Sequence, residues 1–196
     1  MKNYILQSIR LTAVLMVLLC IIYPLIVAFA GGFSKGQGGG EKIIKNGKVV
    51  GYALLGQSFT KPEYFWGRPS AVDYNAAGSG ASNKGASNQE YLQQVSDRID
   101  TLLKYHPALK KADIPADMVM ASGSGLDPNI SERGAIMQIK RVAVVRNLDE
   151  KVVAELVAKN TKEPLFGLFG PTSVNVLKLN LALDELEKDN LGVQPN

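Results

Sequence analysis

The sequence predicts an α+β fold in which one N-terminal transmembrane helix precedes a single mixed α/β exterior domain. Three observations predict it: an uncharged apolar run near the N-terminus, a Gly-rich stretch after it, and helical periodicity mixed with short strand-like segments beyond. A chain of 196 residues can form one domain with a real core plus an anchor. The predicted organisation is a cytoplasmic tail at 1–10, a span at 11–30, a Gly-rich tether at 31–47 and an extracytoplasmic α+β domain at 48–196.

The apolar run covers residues 11–30 and reads LTAVLMVLLCIIYPLIVAFA. Without a charge, it reaches roughly 30 Å as a helix, which matches a bilayer core. The alternative is a cleaved signal peptide, supported by the basic Lys2 and Arg10 and by the small residues around Phe29. The length of the run favours a retained span, in which Cys20 is a small packing residue. Because long domains translocate largely regardless of charge, Arg10 predicts a cytoplasmic N-terminus.

Local patterns place the elements of the domain. Strand-like composition marks 48–59 and 119–122, and 174–179 mixes strand alternation with a longer apolar run. The predicted helix N-caps are Ser87 or Asn88, Ser131, Asp149 and Asn180. The apolar residues predicted at core-facing helical positions are Leu92, Val95, Ile99, Leu102, Leu103, Ile136, Ile139, Val142, Ala143, Val152, Val153, Leu156 and Val157. His106 ends the first of these helices, where its positive charge would be favourable.

Composition excludes several functions. After residue 30 the chain has 20 basic and 18 acidic residues, and no basic stripe of the kind that nucleic-acid binders carry. With a single cysteine, no intramolecular disulfide forms, and a histidine-based triad would depend on His106 alone. The acidic pairs Asp97 with Asp100 and Asp184 with Glu187 fit solvated helix faces. No G-x-S-x-G motif is present.

A Gly-rich stretch, ASGSGLDPNIS, spans residues 121–131. A phosphate-binding loop would need a lysine followed by Ser or Thr at its end. Here Asp127 and Pro128 follow the glycines, and Asp127 would repel a phosphate unless a metal intervened. The second Gly-rich stretch, GLFGPT at 167–172, has proline where the lysine should stand. The sequence therefore predicts a strand-to-helix turn that leads to the Ser131 cap.

An aromatic stretch, KPEYFWGRPSAVDYN, lies at the start of a long polar segment. Tyr64, Phe65 and Trp66 fit a core and an interface equally well, since aromatic residues and arginines such as Arg68 dominate interface hot spots. A loop of this length is usually functional. A single span, a tether and the lack of a catalytic set together favour an accessory subunit.

Six segments in the right order resemble one family, the C subunit of the Kdp-type potassium-transporting ATPase (the KdpC family). They are LLGQSF, YFWGRPSAVDYN, SGASNKGASN, ASGSGLDPNIS, QIKRVAVVRNL and VNVLKLNLALD. The resemblance implies a complex in the bacterial inner membrane that imports K⁺ using ATP and Mg. Its partners would be the bilayer, a channel-like A subunit, a P-type B subunit and a small F subunit.

The resemblance further implies a role in assembly and stability, and in raising the affinity of the B subunit for ATP. For a domain outside the membrane, that second effect would be long-range coupling rather than nucleotide contact; covering the ion entrance is an alternative. No catalytic, cofactor or metal residue is predicted. The candidate interface or signature residues are Tyr64, Phe65, Trp66, Arg68, Pro69, Ser70, Asn83, Ser122, Gly123, Ser124, Gly125, Leu126, Asp127, Pro128, Arg141 and Asn175. An exported soluble hydrolase with a cleaved signal and an independent membrane-tethered binding module remain open.

Overall fold

The computed structural model describes residues 2–190 and divides the chain into two compact units, Met1–Val50 and Gly51–Asn196. The first unit is dominated by a helix, and the second contains both helices and a small sheet. The predicted mixed α/β class with one N-terminal apolar helix is confirmed.

The first unit begins with one long apolar helix. It consists of α1 (Lys2–Val17), a π-helical segment (Leu18–Ile22) and α2 (Tyr23–Gly31). Pro24 lacks an N–H and crowds the preceding turn, and a wider π turn accommodates this defect. The stretch Tyr4–Gly31 has 28 residues and a mean hydropathy of 2.8, so its length and composition suit a membrane crossing. It is longer than the predicted span at both ends.

A β-hairpin follows, formed by β1 (Lys42–Lys45) and β2 (Lys48–Tyr52). Its turn residues Asn46 and Gly47 both have positive φ, 51° and 73°, as a two-residue Asn-Gly hairpin turn requires. The strand β1 therefore lies in the segment that the sequence analysis assigned to a flexible tether. The strand prediction over 48–59 is correct only as far as Tyr52, because turns and irregular backbone follow.

The second unit packs helices against a three-stranded antiparallel sheet. Its helices are α3 (Gln89–Tyr105), α4 (Glu132–Ile136), α5 (Ile139–Arg146), α6 (Glu150–Asn160) and α7 (Val176–Asn190), with 3₁₀ turns at Lys111–Asp113 and Ala116–Met118. The sheet has the order β3 (Asn129–Ile130), β5 (Ser173–Asn175) and β4 (Thr161–Lys162). In its register Val174 of the central strand pairs with Ile130 on one side and Thr161 on the other.

Three predicted helix caps are confirmed. The side chains of Asn88, Ser131 and Asp149 accept the backbone N–H of Tyr91, Gly134 and Lys151 at 2.9, 3.0 and 2.7 Å. Each bond satisfies one of the free N–H groups that every helix start exposes.

The prediction of Asn180 as a helix N-cap was wrong. Helix α7 starts four residues earlier, and Asn175 takes the capping role by accepting the N–H of Lys178 at 3.0 Å. Asn180 instead lies inside α7, with its side chain buried. The strand predicted at 119–122 was also wrong. That segment follows a 3₁₀ turn as irregular chain, and the strand forms at Asn129–Ile130, after the Gly-rich stretch.

Each of the five helices of the second unit contributes buried residues to the hydrophobic core. Leu102, Val142, Ala143, Val153 and Val157 are buried as predicted. The prediction was wrong for a few end positions, since Leu92, Ile136 and Val152 are exposed. Phe65, Val174, Leu179 and Leu183 complete the centre, so the aromatic stretch reaches into the core at one residue.

Candidate functional site

Most candidate residues of the second unit lie in two clusters, whose aromatic segments adjoin at Gly67. We call the first the aromatic clamp: Tyr64, Phe65, Trp66 and the side chains that hold them, Gln138, Arg141 and Asn180. We call the second the loop junction: residues 68–80 with 122–128. Neither cluster is built on the sheet. The clamp is irregular chain held by side chains on or next to α5 and α7, whereas the loop junction is held by side chains of its own two segments.

Two buried amide side chains hold the backbone of the aromatic clamp. The N–H of Phe65 donates to Asn180 Oδ1 at 2.8 Å, and Asn180 Nδ2 donates to the Phe65 carbonyl at 2.9 Å. Gln138 does the same for Trp66, with distances of 2.8 and 3.1 Å. Each amide therefore pairs with one residue as a neighbouring strand would, in a segment that has no strand beside it.

Arg141 fixes the same segment from α5. Its Nη1 donates to the carbonyls of Pro62 and Tyr64, and its Nη2 donates to Gln138 Oε1 at 2.6 Å. The guanidinium carbon lies 4.2 Å from the centre of the Trp66 ring, a cation–π contact. Burial lowers the pKa of Arg141 to about 10, so the group stays charged at neutral pH. Among the described residues its hydrogen-bond acceptors are all neutral.

His106 is a fixed acceptor within this cluster. Its Nε2 accepts from Arg141 Nε at 3.0 Å, while its Nδ1 lies 2.7 Å from the Leu102 carbonyl. With both ring nitrogens engaged, the geometry requires a neutral ring whose proton sits on Nδ1. Burial, together with the positive charge of Arg141, lowers the pKa of His106. The sequence analysis placed His106 correctly at the helix end but wrongly expected a positive charge there.

A second arginine ties the clamp to α7. Arg146 Nε donates to the Glu63 carbonyl at 2.8 Å, its Nη2 pairs with Asp184 at 2.9 Å, and its guanidinium lies 4.7 Å from the centre of the Tyr64 ring. Asp184 was predicted on a solvated face, which was wrong. Its carboxylate on α7 pairs with Arg146 of α5, which in turn bonds to the aromatic stretch at Glu63.

An ion pair and a serine organise the loop junction. Arg68 Nη1 lies 2.9 Å from Asp127 Oδ2, with both side chains about one-quarter exposed. Ser70 Oγ donates to the Gly125 carbonyl at 2.6 Å and accepts the N–H of Tyr74 at 2.9 Å. The Tyr74 hydroxyl closes the loop by donating to the Arg68 carbonyl. Burial, and next the Asp127 charge, raise the pKa of Tyr74, so it remains a donor.

The Gly-rich stretch closes against the polar segment as a tight turn. The carbonyl of Ser124 accepts the N–H of Gly80 at 2.9 Å and the hydroxyl of Ser79 at 3.0 Å. Gly125 has a φ of +70°, and a Cβ there would lie 2.6 Å from Val72 Cγ2 and 2.8 Å from the Gly80 carbonyl oxygen. Glycine is therefore required at this position both by the backbone angle and by the space.

Several N–H groups of this stretch already donate within the protein. Those of Ser122, Gly125, Leu126 and Asn129 bond to Pro69 O, Ser122 O, Ser124 Oγ and Asp127 Oδ1. A phosphate cradle needs several free N–H groups that converge on one point. The turn predicted from the sequence agrees with this arrangement, although β3 intervenes between the turn and the Ser131 cap.

The remaining candidates have separate positions. Asn175, besides capping α7, donates from Nδ2 to the Ala53 carbonyl at 2.8 Å. Asn83 is exposed with a φ of 51° and lies outside both clusters. Sequence reasoning missed Gln138, and it misjudged Asn180 and His106. A buried amide gives no periodic signal, because its partner lies up to 115 positions away along the chain.

An open groove of about 450 Å³ lies beside both clusters. Its walls combine aromatic rings, two arginines and hydroxyl groups, and include Trp66, Arg68, Tyr74, Arg98, Thr101 and Tyr105. The rings of Trp66 and Tyr105 meet edge to face with centres 5.1 Å apart. Of the candidate residues, Trp66, Arg68 and Pro69 line this groove.

These features define a class of protein. Within residues 2–190 one helix is suited to crossing a membrane, and it is joined to an α+β domain whose polar candidate residues mostly bond to the domain's own backbone. The profile of a family described as "KdpC: K+-transporting ATPase, c chain" matches residues 5–185. Proteins named Potassium-transporting ATPase KdpC subunit are similar over nearly the whole chain. That of Flavobacterium psychrophilum is 57% identical over 187 residues, which cover 95% of this chain and 100% of the relative.

Other relatives with the same name have lower sequence identity to this chain. That of Flavobacterium johnsoniae is 56% identical, covering 95% of this chain and 100% of the relative. That of Caldanaerobacter subterraneus subsp. tengcongensis is 47% identical, covering 96% and 98%. The chain belongs to the KdpC family, which confirms the resemblance read from the six segments. It is thus a subunit of a potassium-transporting ATPase, accessory to the catalytic one.

The two glycines of the turn give a matched pair of substitutions. Gly125→Val should lower the free energy of unfolding by at least about 3 kcal/mol, because it adds strain and a clash with Val72 and Gly80. Gly123→Val should change it by no more than about 1 kcal/mol, since Gly123 is exposed and a Cβ there meets nothing within 4 Å. Thermal unfolding of both detergent-solubilised variants measures the difference. Equal losses would contradict the role given to Gly125.

The lowered pKa of His106 predicts a pH dependence of stability. The unfolded chain binds a proton near pH 6.5, whereas the folded chain resists it, so the free energy of unfolding falls as the pH drops below about 6.5. His106→Gln places an acceptor near the Nε2 position without a titrating group. Unfolding midpoints measured from pH 7.5 to 5 should decline less in this variant. The same slope in both proteins would show that His106 is not responsible.

Proposed function

We propose that this chain is a non-catalytic accessory subunit needed for the assembly and stability of an ATP-driven complex for high-affinity potassium import. The Tyr4–Gly31 helix would anchor it in the bacterial inner membrane, with the N-terminus in the cytoplasm and the domain outside. One observation carries the proposal. Ionisable side chains of the two clusters bond to other residues of the domain, as Arg141 does to His106 and Arg68 to Asp127, while aromatic and arginine side chains line an open groove.

The groove has the composition of a protein-binding surface. Tryptophan, tyrosine and arginine dominate interface hot spots because they combine a large apolar area with a polar group. Trp66 and Tyr105 supply the rings, Arg68 and Arg98 the charges, and Thr101 a hydroxyl at the rim. Both arginines are already positioned by other bonds, Arg68 by Asp127 and Arg98 by the Val119 carbonyl at 2.9 Å. A surface that is ordered in advance loses less entropy when a partner binds.

The partners in this proposal are the channel-like A subunit, the P-type B subunit and the small F subunit, together with the bilayer. A higher affinity of the B subunit for ATP would then follow without nucleotide contact. Binding of the rigid domain to one state of the complex would favour that state, and ATP affinity would change by coupling.

A groove-filling substitution tests the interface. Thr101 is exposed on α3, and its hydroxyl donates to Asp97 O of its own helix, so Thr101→Trp should fold normally while blocking the groove. We expect co-purification with the other ATPase subunits from mild detergent to fall about tenfold, which corresponds to a loss of about 1.4 kcal/mol. The ATP concentration for half-maximal hydrolysis should rise in the complex that remains.

Gln93→Trp is the matched control, because Gln93 is exposed on the same helix and does not line the groove. It should co-purify like the parent. Normal assembly of Thr101→Trp would show that the groove is not the interface. A parent chain that never co-purifies with ATPase subunits would contradict the accessory function itself.

The proposed orientation predicts a labelling pattern. Cys20 is the only cysteine, so Cys20→Ala provides a background free of thiols. In that background Lys162→Cys lies at an exposed position of β4. It should react with a membrane-impermeant maleimide in cells whose outer membrane is permeabilised while the inner membrane is intact. Labelling only after the inner membrane is permeabilised would place the domain in the cytoplasm and contradict the orientation.

A further inference from the structure

The second unit displays an apolar loop that neither cluster nor groove uses. It comprises Leu165–Phe169, between β4 and β5. Its four large side chains are the exposed Leu165, Phe166, Leu168 and Phe169, at 62%, 84%, 81% and 67%. The fifth residue is glycine, so the loop has no polar side chain. Four adjacent large apolar side chains this exposed form the kind of patch that marks an interaction site.

The loop is held open by its own backbone. Leu165 and Phe169 exchange both hydrogen bonds, at 2.9 and 3.0 Å, and Gly167 N–H donates to the Pro164 carbonyl at 2.9 Å. Phe166 adopts a φ of 55°, in the left-handed region where a phenylalanine is uncommon. The tight turn therefore points the apolar side chains outward instead of letting them collapse onto the core.

We propose that this loop inserts into the headgroup and acyl boundary of the bilayer that holds the anchor helix. The inference rests on the proposed membrane anchoring. Two features favour lipid over a protein partner. The loop lacks the arginine, tyrosine and polar rim that protein interfaces carry and that the groove does carry. Its N–H groups at Leu165, Leu168 and Phe169 donate within the loop and that of Gly167 to the adjacent Pro164, which lowers the penalty for leaving water.

The flanking charges limit the depth of insertion. Lys162 and Glu163 precede the loop and are both exposed, so they would remain among the headgroups while the tip enters about 5–10 Å. The covalent link matters as well. Residues 32–41 connect the anchor helix to β1, so an inserted anchor raises the local concentration of the loop relative to lipid through one covalent chain. At such a high local concentration, weak insertion is sufficient to orient the domain.

Tryptophan fluorescence in brominated lipid provides the test. Trp66 is the only tryptophan, so the parent chain gives the background signal and reports on folding. The full chain would be reconstituted alone into vesicles of phosphatidylcholine and phosphatidylglycerol, with or without brominated acyl chains. Three variants are compared with the parent: Phe166→Trp in the loop, Val144→Trp at an exposed apolar position of α5, and Phe29→Trp in the anchor helix.

We expect bromine to quench the added fluorescence of Phe166→Trp about twofold, while that of Val144→Trp changes little. Phe29→Trp should be quenched at least as strongly, which establishes the anchor independently. Quenching at Phe29 without quenching at Phe166 would overturn the loop proposal and leave the anchor intact. No quenching at either position would overturn both. Equal quenching at Phe166 and Val144 would also reject specific insertion of the loop.

Discussion

Two buried amides and one guanidinium make hydrogen bonds to the aromatic segment, and the packing of the domain around that segment depends on these bonds. Residues 53–88 contain no helix or strand, yet part of this segment runs through the core, where each backbone N–H and carbonyl needs a partner. Asn180 and Gln138 satisfy both groups of Phe65 and Trp66, and Arg141 binds the two carbonyls nearby. Without them, burying Phe65 would leave polar groups unpaired at a cost of about 1–3 kcal/mol each.

The same bonds determine how the helices pack. Because Asn180 lies on α7 while Gln138 and Arg141 precede or lie on α5, one stretch of irregular chain fixes two helices at once. The Arg146–Asp184 pair crosses the same junction and adds a charge-assisted contact. The acceptors that the structure describes for Arg141 are all neutral, so removal of any one of them would leave a buried charge poorly compensated. The cluster therefore favours one arrangement, as the proposed role of a rigid docking domain requires.

Sequence patterns predicted the features that depend on near neighbours. The caps at Asn88, Ser131 and Asp149 bind N–H groups two or three residues away, so composition alone revealed them. Asn180 looked like another cap, but its partner is 115 positions distant, and no local pattern encodes that bond. Arg141 entered the candidate set only through the family resemblance, and its bond to His106 was invisible for the same reason.

The two outward surfaces of the domain differ in chemistry because they are built differently. The groove lies beside the clamp, where Arg68 and Arg98 are held by internal partners and can meet polar groups of another protein. The loop at 165–169 has satisfied much of its own backbone hydrogen bonding and offers only hydrocarbon. Water disfavours the second surface strongly, since apolar area costs about 25 cal/mol per Å². An exposed apolar turn held open by its own hydrogen bonds is therefore explained best by a contact outside this domain, and its composition favours lipid.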